Sequence, residues 1–158
     1  MKINYLFPHR FKAIGWIILL PSVVLGLFSV LTQYHPGFLD LRVFTVWDDQ
    51  LFEDTKVLTL TSNNILNEIT GILIIAGGIL VAFSKEKLED EFMAKVRLES
   101  LVWATYINYF ILFLGLILVH GFGFLWFMVF NMFTILLIFI IRFHYAIYNL
   151  NRTSGYEE

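Results

Sequence analysis

Four long apolar runs constrain the fold of this chain more than any other feature of its sequence. They cover approximately residues 13–33, 65–83, 101–119 and 124–141. Each is close to the roughly 20 apolar residues that a helix needs to cross a bilayer. The 158-residue chain is 58% hydrophobic and 15% charged, whereas soluble domains are about 45–50% apolar and about 25% charged. The sequence therefore predicts one all-α integral membrane domain, a bundle of four transmembrane helices.

The first apolar run follows a short basic segment, which is also the pattern of a secretory signal peptide. The run is longer than the apolar part of such a peptide, and no small-residue cleavage pattern follows it. We therefore predict a retained first transmembrane helix. Pro21 lies inside this run and removes a backbone donor, so we expect a kink there.

Residues 34–63 form the one long loop between the apolar runs. Its segments LRVFTVW and KVLTLT are rich in β-branched and aromatic residues, and the polar segment DDQLFEDT separates them. This pattern predicts a short β-hairpin outside the membrane. An irregular acidic loop is the alternative that the same residues allow.

Glu68 is the acidic residue closest to the interior of a predicted span, about one turn inside the second helix. An acid at membrane depth indicates a functional site, whereas an acid at a helix N-terminus is favoured by the helix dipole. Both interpretations stay open. His120, at the outer end of the third span, is expected at a similar depth, so a pair between Glu68 and His120 is a further hypothesis.

Residues 84–109 are the one place where many charges adjoin an apolar run without an intervening Pro or Gly. They predict a cytoplasmic helical extension at 85–100 that continues into the third span. Asp90, Arg97 and Asn108 share one narrow stripe of this helix. The stripe predicts either a site at the inner mouth of the bundle or a solvated helix at the lipid headgroups.

The third and fourth spans are joined by the short segment 120–123, so they are predicted to form an antiparallel hairpin. The first and second spans form the other predicted hairpin. Asn108 and Asn131 are amides inside the hairpin of the third and fourth spans. Such groups usually hydrogen-bond between helices, although they also have the chemistry to line a polar path.

Basic residues are distributed unevenly between the segments outside the spans. All Lys and Arg except Arg42 and Lys56 lie in residues 1–12, 84–100 and the tail 142–158. Cytoplasmic segments of membrane proteins are enriched in these residues. Both termini and the charged extension are therefore predicted to be cytoplasmic.

The sequence contains none of the common nucleotide-binding, zinc-protease or hydrolase motifs. It has no cysteine, so disulfides and thiol chemistry are excluded. We predict no catalytic residue, no cofactor and no metal site. The net charge of −2 does not indicate a nucleic-acid partner.

Two stretches, KEKLEDEFMAKVRLESLVWATYINY and FNMFTILLIFIIRFHY, resemble small, uncharacterised four-helix membrane proteins of Bacteroidetes-type bacteria. The most specific parts are the acidic cluster 89–91, the group 97–100 and Asn131. This resemblance covers about residues 65–148. It implies a bacterial cytoplasmic (inner) membrane protein and carries no activity.

The first functional hypothesis is a non-enzymatic accessory, sensory or regulatory subunit. Its partners would be the lipid bilayer and either another membrane protein or further copies of the chain. Asp90 and Arg97 would be its cytoplasmic docking contacts, so Arg97→Glu should weaken partner binding without unfolding the bundle. The alternative is a small oligomeric channel or transporter that uses Glu68, Asn108 and Asn131.

Overall fold

The structure, a computed structural model, describes residues 6–34, 36–48, 56–87 and 90–154. These residues form four α-helices, one short 3-10 helix and one two-stranded sheet. In chain order the elements are α1 (Arg10–Thr32), the 3-10 helix (Gly37–Leu39), β1 (Asp40–Asp48), β2 (Lys56–Asn64), α2 (Leu66–Ala82), α3 (Glu91–Leu118) and α4 (Phe122–Ser154).

Two compact units can be distinguished in the chain. Residues 20–73 form the hairpin unit, and residues 1–19 together with 74–158 form the helical unit. Each unit contains one part of α1 and one part of α2. The candidate sites are therefore described separately within each unit.

The hairpin unit contains the predicted β-hairpin. β1 and β2 are antiparallel, and Asp40 is the register partner of Asn64 at the end nearest α2. The β-branched and aromatic residues of both strands favour this extended backbone. The hairpin is thus confirmed, while the acidic turn at 49–55 lies outside the described residues.

Asn64 joins the hairpin to α2. Its side-chain amide donates to Asp40 Oδ1 at 2.7 Å and to the Pro36 carbonyl at 2.9 Å. Its Oδ1 accepts from the Leu66 N–H at 3.3 Å, which satisfies one of the amides that a helix start leaves unpaired. This side chain therefore contributes to both the sheet and the start of α2.

In the helical unit, α1 and α2 cross at two glycines. Gly15 faces Val81 and Gly77 faces Leu19, so the two helices run antiparallel. A Cβ atom built on Gly77 would lie 2.9 Å from the backbone nitrogen of Leu19. Small residues allow this close approach of helix backbones.

α3 and α4 form the antiparallel hairpin expected from the short connection between them. Gly121, with φ of +68°, lies in that connection and adopts a backbone conformation that glycine accommodates without strain. Near the connection Gly115 leaves room for the Phe127 ring. At the other end the Arg97 guanidinium lies 5.0 Å from the centroid of the Phe143 ring.

Two boundaries differ from those expected from the sequence. The helix expected from residue 85 begins at Glu91, because Ser84 pairs with Phe7 in a short parallel bridge and Asp90 caps α3. The tail expected from residue 142 continues as helix to Ser154. No Pro or Gly occurs there before residue 155, so nothing in the sequence ends the helix earlier.

Three of the described helices are long and apolar enough to cross a membrane: α1, α3 and residues 122–150 of α4. The second apolar run forms a shorter apolar helix, α2, of 17 residues. The predicted class is therefore confirmed in its coarse form. The protein is mostly helical, with three long apolar helices and a small two-stranded sheet.

Candidate functional site

A pocket of about 720 Å³ opens in the helical unit where the start of α1, the start of α3 and the end of α4 meet. Ligand sites commonly have volumes of about 300–1,000 Å³, so this pocket has the size of a binding site. Half of its lining is polar or charged and half is apolar. The polar group consists of His9, Arg10, Lys12, Glu86, Lys87 and Asp90, and the apolar group consists of Ala13, Trp16, Phe92, Met93, Ile147 and Leu150.

Backbone pairing holds the N-terminal segment against the segment that connects α2 and α3. The Phe7 N–H donates to the Phe83 carbonyl, and the Lys85 N–H donates to the Phe7 carbonyl, both at 2.9 Å. The His9 ring donates through Nδ1 to the Lys85 carbonyl at 2.9 Å. These bonds fix one wall of the pocket beside the first turn of α1.

Lys12 and Glu86 form an ion pair at the pocket, with Nζ 2.6 Å from Oε1. Both side chains are largely removed from solvent, with 16% and 13% of their surface exposed. A pair in this setting is screened less by salt than one at the surface. The sequence analysis did not predict this pair. The distribution of basic residues predicted only that residues 1–12 and 84–100 lie on the same side of the membrane.

Asp90 caps α3. Its Oδ1 accepts from the Met93 N–H at 2.8 Å, while its own backbone is extended. This is the geometry of an N-cap, whose replacement by alanine typically costs about 1 kcal/mol. The carboxylate also lines the pocket, so Asp90 both starts the helix and contributes negative charge to the site.

Arg97, the second expected docking contact, is buried, with 7% of its surface exposed. Its Nη2 donates to the Ser84 carbonyl at 3.3 Å, and its guanidinium faces the Phe143 ring. Phe143 in turn stacks on Phe139, with ring centroids 5.8 Å apart. The Arg97 side chain thus packs against the segment before α3 and against α4, and its role as a docking contact stays a prediction.

Trp16 and His144 connect α1 with α4 near the pocket. Their rings meet edge to face with centroids 5.4 Å apart. The His144 ring also donates through Nδ1 to the Ile140 carbonyl at 2.8 Å. The sequence analysis gave His144 no role, because nothing in the local pattern of α4 indicates which helix its ring will face.

Asn108 and Asn131 are both buried, with 8% of each residue exposed. They lie at similar levels of the α3–α4 hairpin, because Gly115 faces Phe127 on one side of them and Arg97 faces Phe143 on the other. Within the described residues, Asn108 Oδ1 has no donor and Asn131 Nδ2 has no acceptor. The unpaired atom of Asn108 is an acceptor, and the unpaired atom of Asn131 is a donor.

Glu68 lies in the hairpin unit, exposed in the first turn of α2. Its Oε1 accepts from Asn63 Nδ2 at 2.7 Å. The preceding residue, Asn67, accepts from Ser29 Oγ at 3.0 Å, and this bond joins α2 to α1. An exposed carboxylate at a helix N-terminus is the arrangement that the dipole favours.

His120 follows α3 in the connection to α4, and it is exposed. It belongs to the helical unit, whereas Glu68 belongs to the hairpin unit. Their pairing stays a prediction. Among the residues that the structure describes, no group of three or more His, Asp or Glu is arranged to hold a metal ion.

No protein-family model matches the chain, and no curated protein or solved structure matches it either. The resemblance to four-helix proteins of Bacteroidetes-type bacteria therefore stays a prediction. What the site can do must be inferred from its own chemistry. The lining of the pocket combines charged side chains with apolar ones.

Proposed function

We propose that the protein is a non-enzymatic, multi-pass protein of the bacterial inner membrane that acts as an accessory, sensory or regulatory subunit. In this proposal α2 is the fourth span. Its 17 residues give a length of about 26 Å at the helical rise of 1.5 Å per residue. That is slightly less than the roughly 30 Å hydrocarbon core, and modest local thinning of the bilayer accommodates such a difference.

The proposed orientation places both termini in the cytoplasm. It is supported by the pocket, where basic residues from distant parts of the chain gather at one end of the helical unit. Arg10 and Lys12 come from the start of α1, and Lys87 comes from the segment before α3. A membrane protein concentrates such residues on its cytoplasmic side.

One observation carries the proposal of a partner: the first turns of α3 have two distinct faces. Val96, Arg97 and Ser100 are buried, whereas Lys95 and Glu99 are exposed. The exposed face also carries large apolar side chains, with Phe92 53% and Leu98 62% exposed. Apolar side chains among charges of both signs are typical of the surface that binds another protein.

Reversing the charges of this face, in the double variant Lys95→Glu with Glu99→Lys, is expected to release the partner while the fold is retained. The net charge of the chain does not change, so a loss of binding would result from the altered arrangement of charges on this face. Tagged chains would be extracted gently from native membranes, and co-purifying proteins would be quantified by mass spectrometry. Arg152→Glu, at an exposed position near the end of α4, is the control.

A stoichiometric protein that accompanies the wild-type chain and the control but not the double variant supports the proposal. A homo-oligomer that both the wild type and the double variant form, with no other protein, contradicts it. The monodisperse elution of each variant shows whether the fold is intact. The experiment thus separates loss of binding from loss of structure.

A small oligomeric channel or transporter is the second candidate, favoured by the unpaired amide atoms of Asn108 and Asn131. Unsatisfied amides inside a membrane bundle are costly, so a polar solute or water bonded to either of them would be stabilised. In this function Glu68 would also contribute to the path. The exposed position of Glu68 and its bond to Asn63 favour the first candidate.

The transport hypothesis makes a separate prediction for Glu68→Gln. The substitution removes a negative charge and keeps the acceptor for Asn63, so it should lower ion or proton flux in proteoliposomes without changing stability. Flux would be followed with an entrapped pH-sensitive dye under an imposed gradient. Equal flux in the variant, the wild type and empty liposomes would exclude transport through Glu68.

A further inference from the structure

We propose that the pocket of the helical unit binds an anionic phospholipid of the inner leaflet, taking its phosphate headgroup at the charged rim. This inference rests on the proposed membrane placement. The pocket shares Phe92 with the docking face on α3, but it does not include the charged residues Lys95 and Glu99 of that face. The first argument is charge complementarity. Three cationic side chains line the pocket, and both acidic side chains of the lining already have partners.

The three cations and two acids of the described lining give it a net charge of +1 when His9 is neutral. Glu86 is paired with Lys12, and Asp90 is bonded to the start of α3. Arg10 and Lys87 are exposed, and neither has an ion-pair partner within the described part of the chain. A phosphate monoanion between them would gain two charge-assisted contacts, and arginine is well suited to bidentate phosphate recognition.

The second argument is the apolar half of the pocket. Ala13 and Trp16 on α1 and Ile147 and Leu150 on α4 continue the lining beyond the charged rim. A free phosphate is too small and too polar to cover these side chains, whereas a lipid would cover them with its glycerol and upper acyl chain. The volume of about 720 Å³ lies in the range of about 300–1,000 Å³ for ligand sites.

The third argument is position. Trp16 lies at the pocket near the cytoplasmic end proposed for α1, and tryptophan is enriched at the headgroup level of membranes. Basic pockets on the cytoplasmic side of transmembrane helices bind anionic lipid headgroups. Lys12, held by Glu86, is fixed in place, while Arg10 and Lys87 remain available to the ligand.

The test measures lipid binding by native mass spectrometry on the full chain in a neutral detergent. Phosphatidylglycerol and phosphatidylcholine of equal chain length would be titrated separately. We expect the wild-type chain to bind phosphatidylglycerol more tightly. In the double variant Arg10→Gln with Lys87→Gln, that affinity should fall about 30-fold, equivalent to about 2 kcal/mol, the effect of two cations at an anionic lipid surface.

The matched control is Lys95→Gln with Arg152→Gln, which removes two exposed cations outside the pocket lining. It should leave the preference for phosphatidylglycerol unchanged. If the control variant loses as much affinity for phosphatidylglycerol as the pocket variant, the proposal is overturned, because binding would then depend on the overall charge of the protein. The absence of any preference for phosphatidylglycerol in the wild type also overturns it.

A competition experiment distinguishes a lipid from a soluble phosphate as the ligand. Inorganic phosphate and sn-glycerol 3-phosphate should bind weakly and should not displace the lipid, because they cannot cover the apolar half of the pocket. Displacement at concentrations comparable to those of the lipid would overturn the lipid assignment. None of these results depends on whether a partner co-purifies, so failure here is distinguishable from failure of the subunit proposal.

Discussion

Gly77→Leu is expected to disrupt the packing of α1 against α2 and to prevent the protein from folding correctly. A Cβ on Gly77 would approach the Leu19 nitrogen to 2.9 Å and the Gly15 carbonyl oxygen to 3.2 Å. These are backbone atoms, so relief requires movement of a whole helix. Overpacking of a tight contact typically costs about 1–3 kcal/mol, and we expect at least the upper end of that range.

Gly77→Ala is a more specific test of the contact between α1 and α2. In an open helix, Gly→Ala stabilises by about 0.5–1 kcal/mol, because glycine loses more backbone entropy on folding. At Gly77 the packing argument predicts the opposite sign. Thermal unfolding in a mild detergent, followed by size-exclusion chromatography, would give the direction of the change in Tm.

Ala76→Leu is the matched control, since residue 76 neighbours Gly77 on the same helix and is exposed. It should leave Tm nearly unchanged. If Gly77→Ala instead stabilises the protein, or if Ala76→Leu is equally destabilising, the close contact between α1 and α2 is wrong. Gly15→Ala should repeat the effect, because its Cβ would lie 2.9 Å from the Val81 nitrogen.

Arg97→Glu is expected to destabilise the helical unit by about 3–5 kcal/mol, the range for leaving a buried charge without its partner. The new carboxylate would face the Ser84 carbonyl, which is also an acceptor. It would also face the Phe143 ring, whose electron-rich face attracts cations and repels anions. The contacts with the Ser84 carbonyl and with the Phe143 ring therefore become unfavourable.

Lys95→Glu is the control for Arg97→Glu, because it makes the same change of charge at an exposed position two residues away. Its Tm should stay close to that of the wild type. Arg97→Lys keeps the positive charge and loses the planar guanidinium group. Its Tm should lie between those of the wild type and Arg97→Glu. A stable Arg97→Glu protein would contradict the buried position and would support the interpretation of Arg97 as a docking contact.

The sequence was sufficient to predict features that depend on local pattern. The apolar runs predicted the helices, and the β-branched segments of 34–63 predicted the hairpin of β1 and β2. Asn64 lies next to the start of the second apolar run, and its side chain accepts from the Leu66 N–H. Capping, strand propensity and hydrophobic runs involve residues within a few positions of one another, so one sequence carries the necessary information.

The helix boundaries were predicted less well, for an equally physical reason. The charges between residues 85 and 90 are compatible with helix, yet Ser84 pairs with Phe7 and Asp90 caps α3. The first of these interactions joins segments far apart in the chain. The competition between local helix propensity and a distant backbone partner is not visible in the local pattern.

By itself the sequence determined a mostly helical, apolar protein with a small hairpin, and it showed that many charges lie directly before the third apolar run. Only the tertiary structure decided which of those charges are buried. Arg97 packs on Phe143, and Lys12 pairs with Glu86, contacts that join distant parts of the chain. Burial and charge pairing arise from the packing of whole helices, and periodicity shows which residues share a face without showing what that face meets.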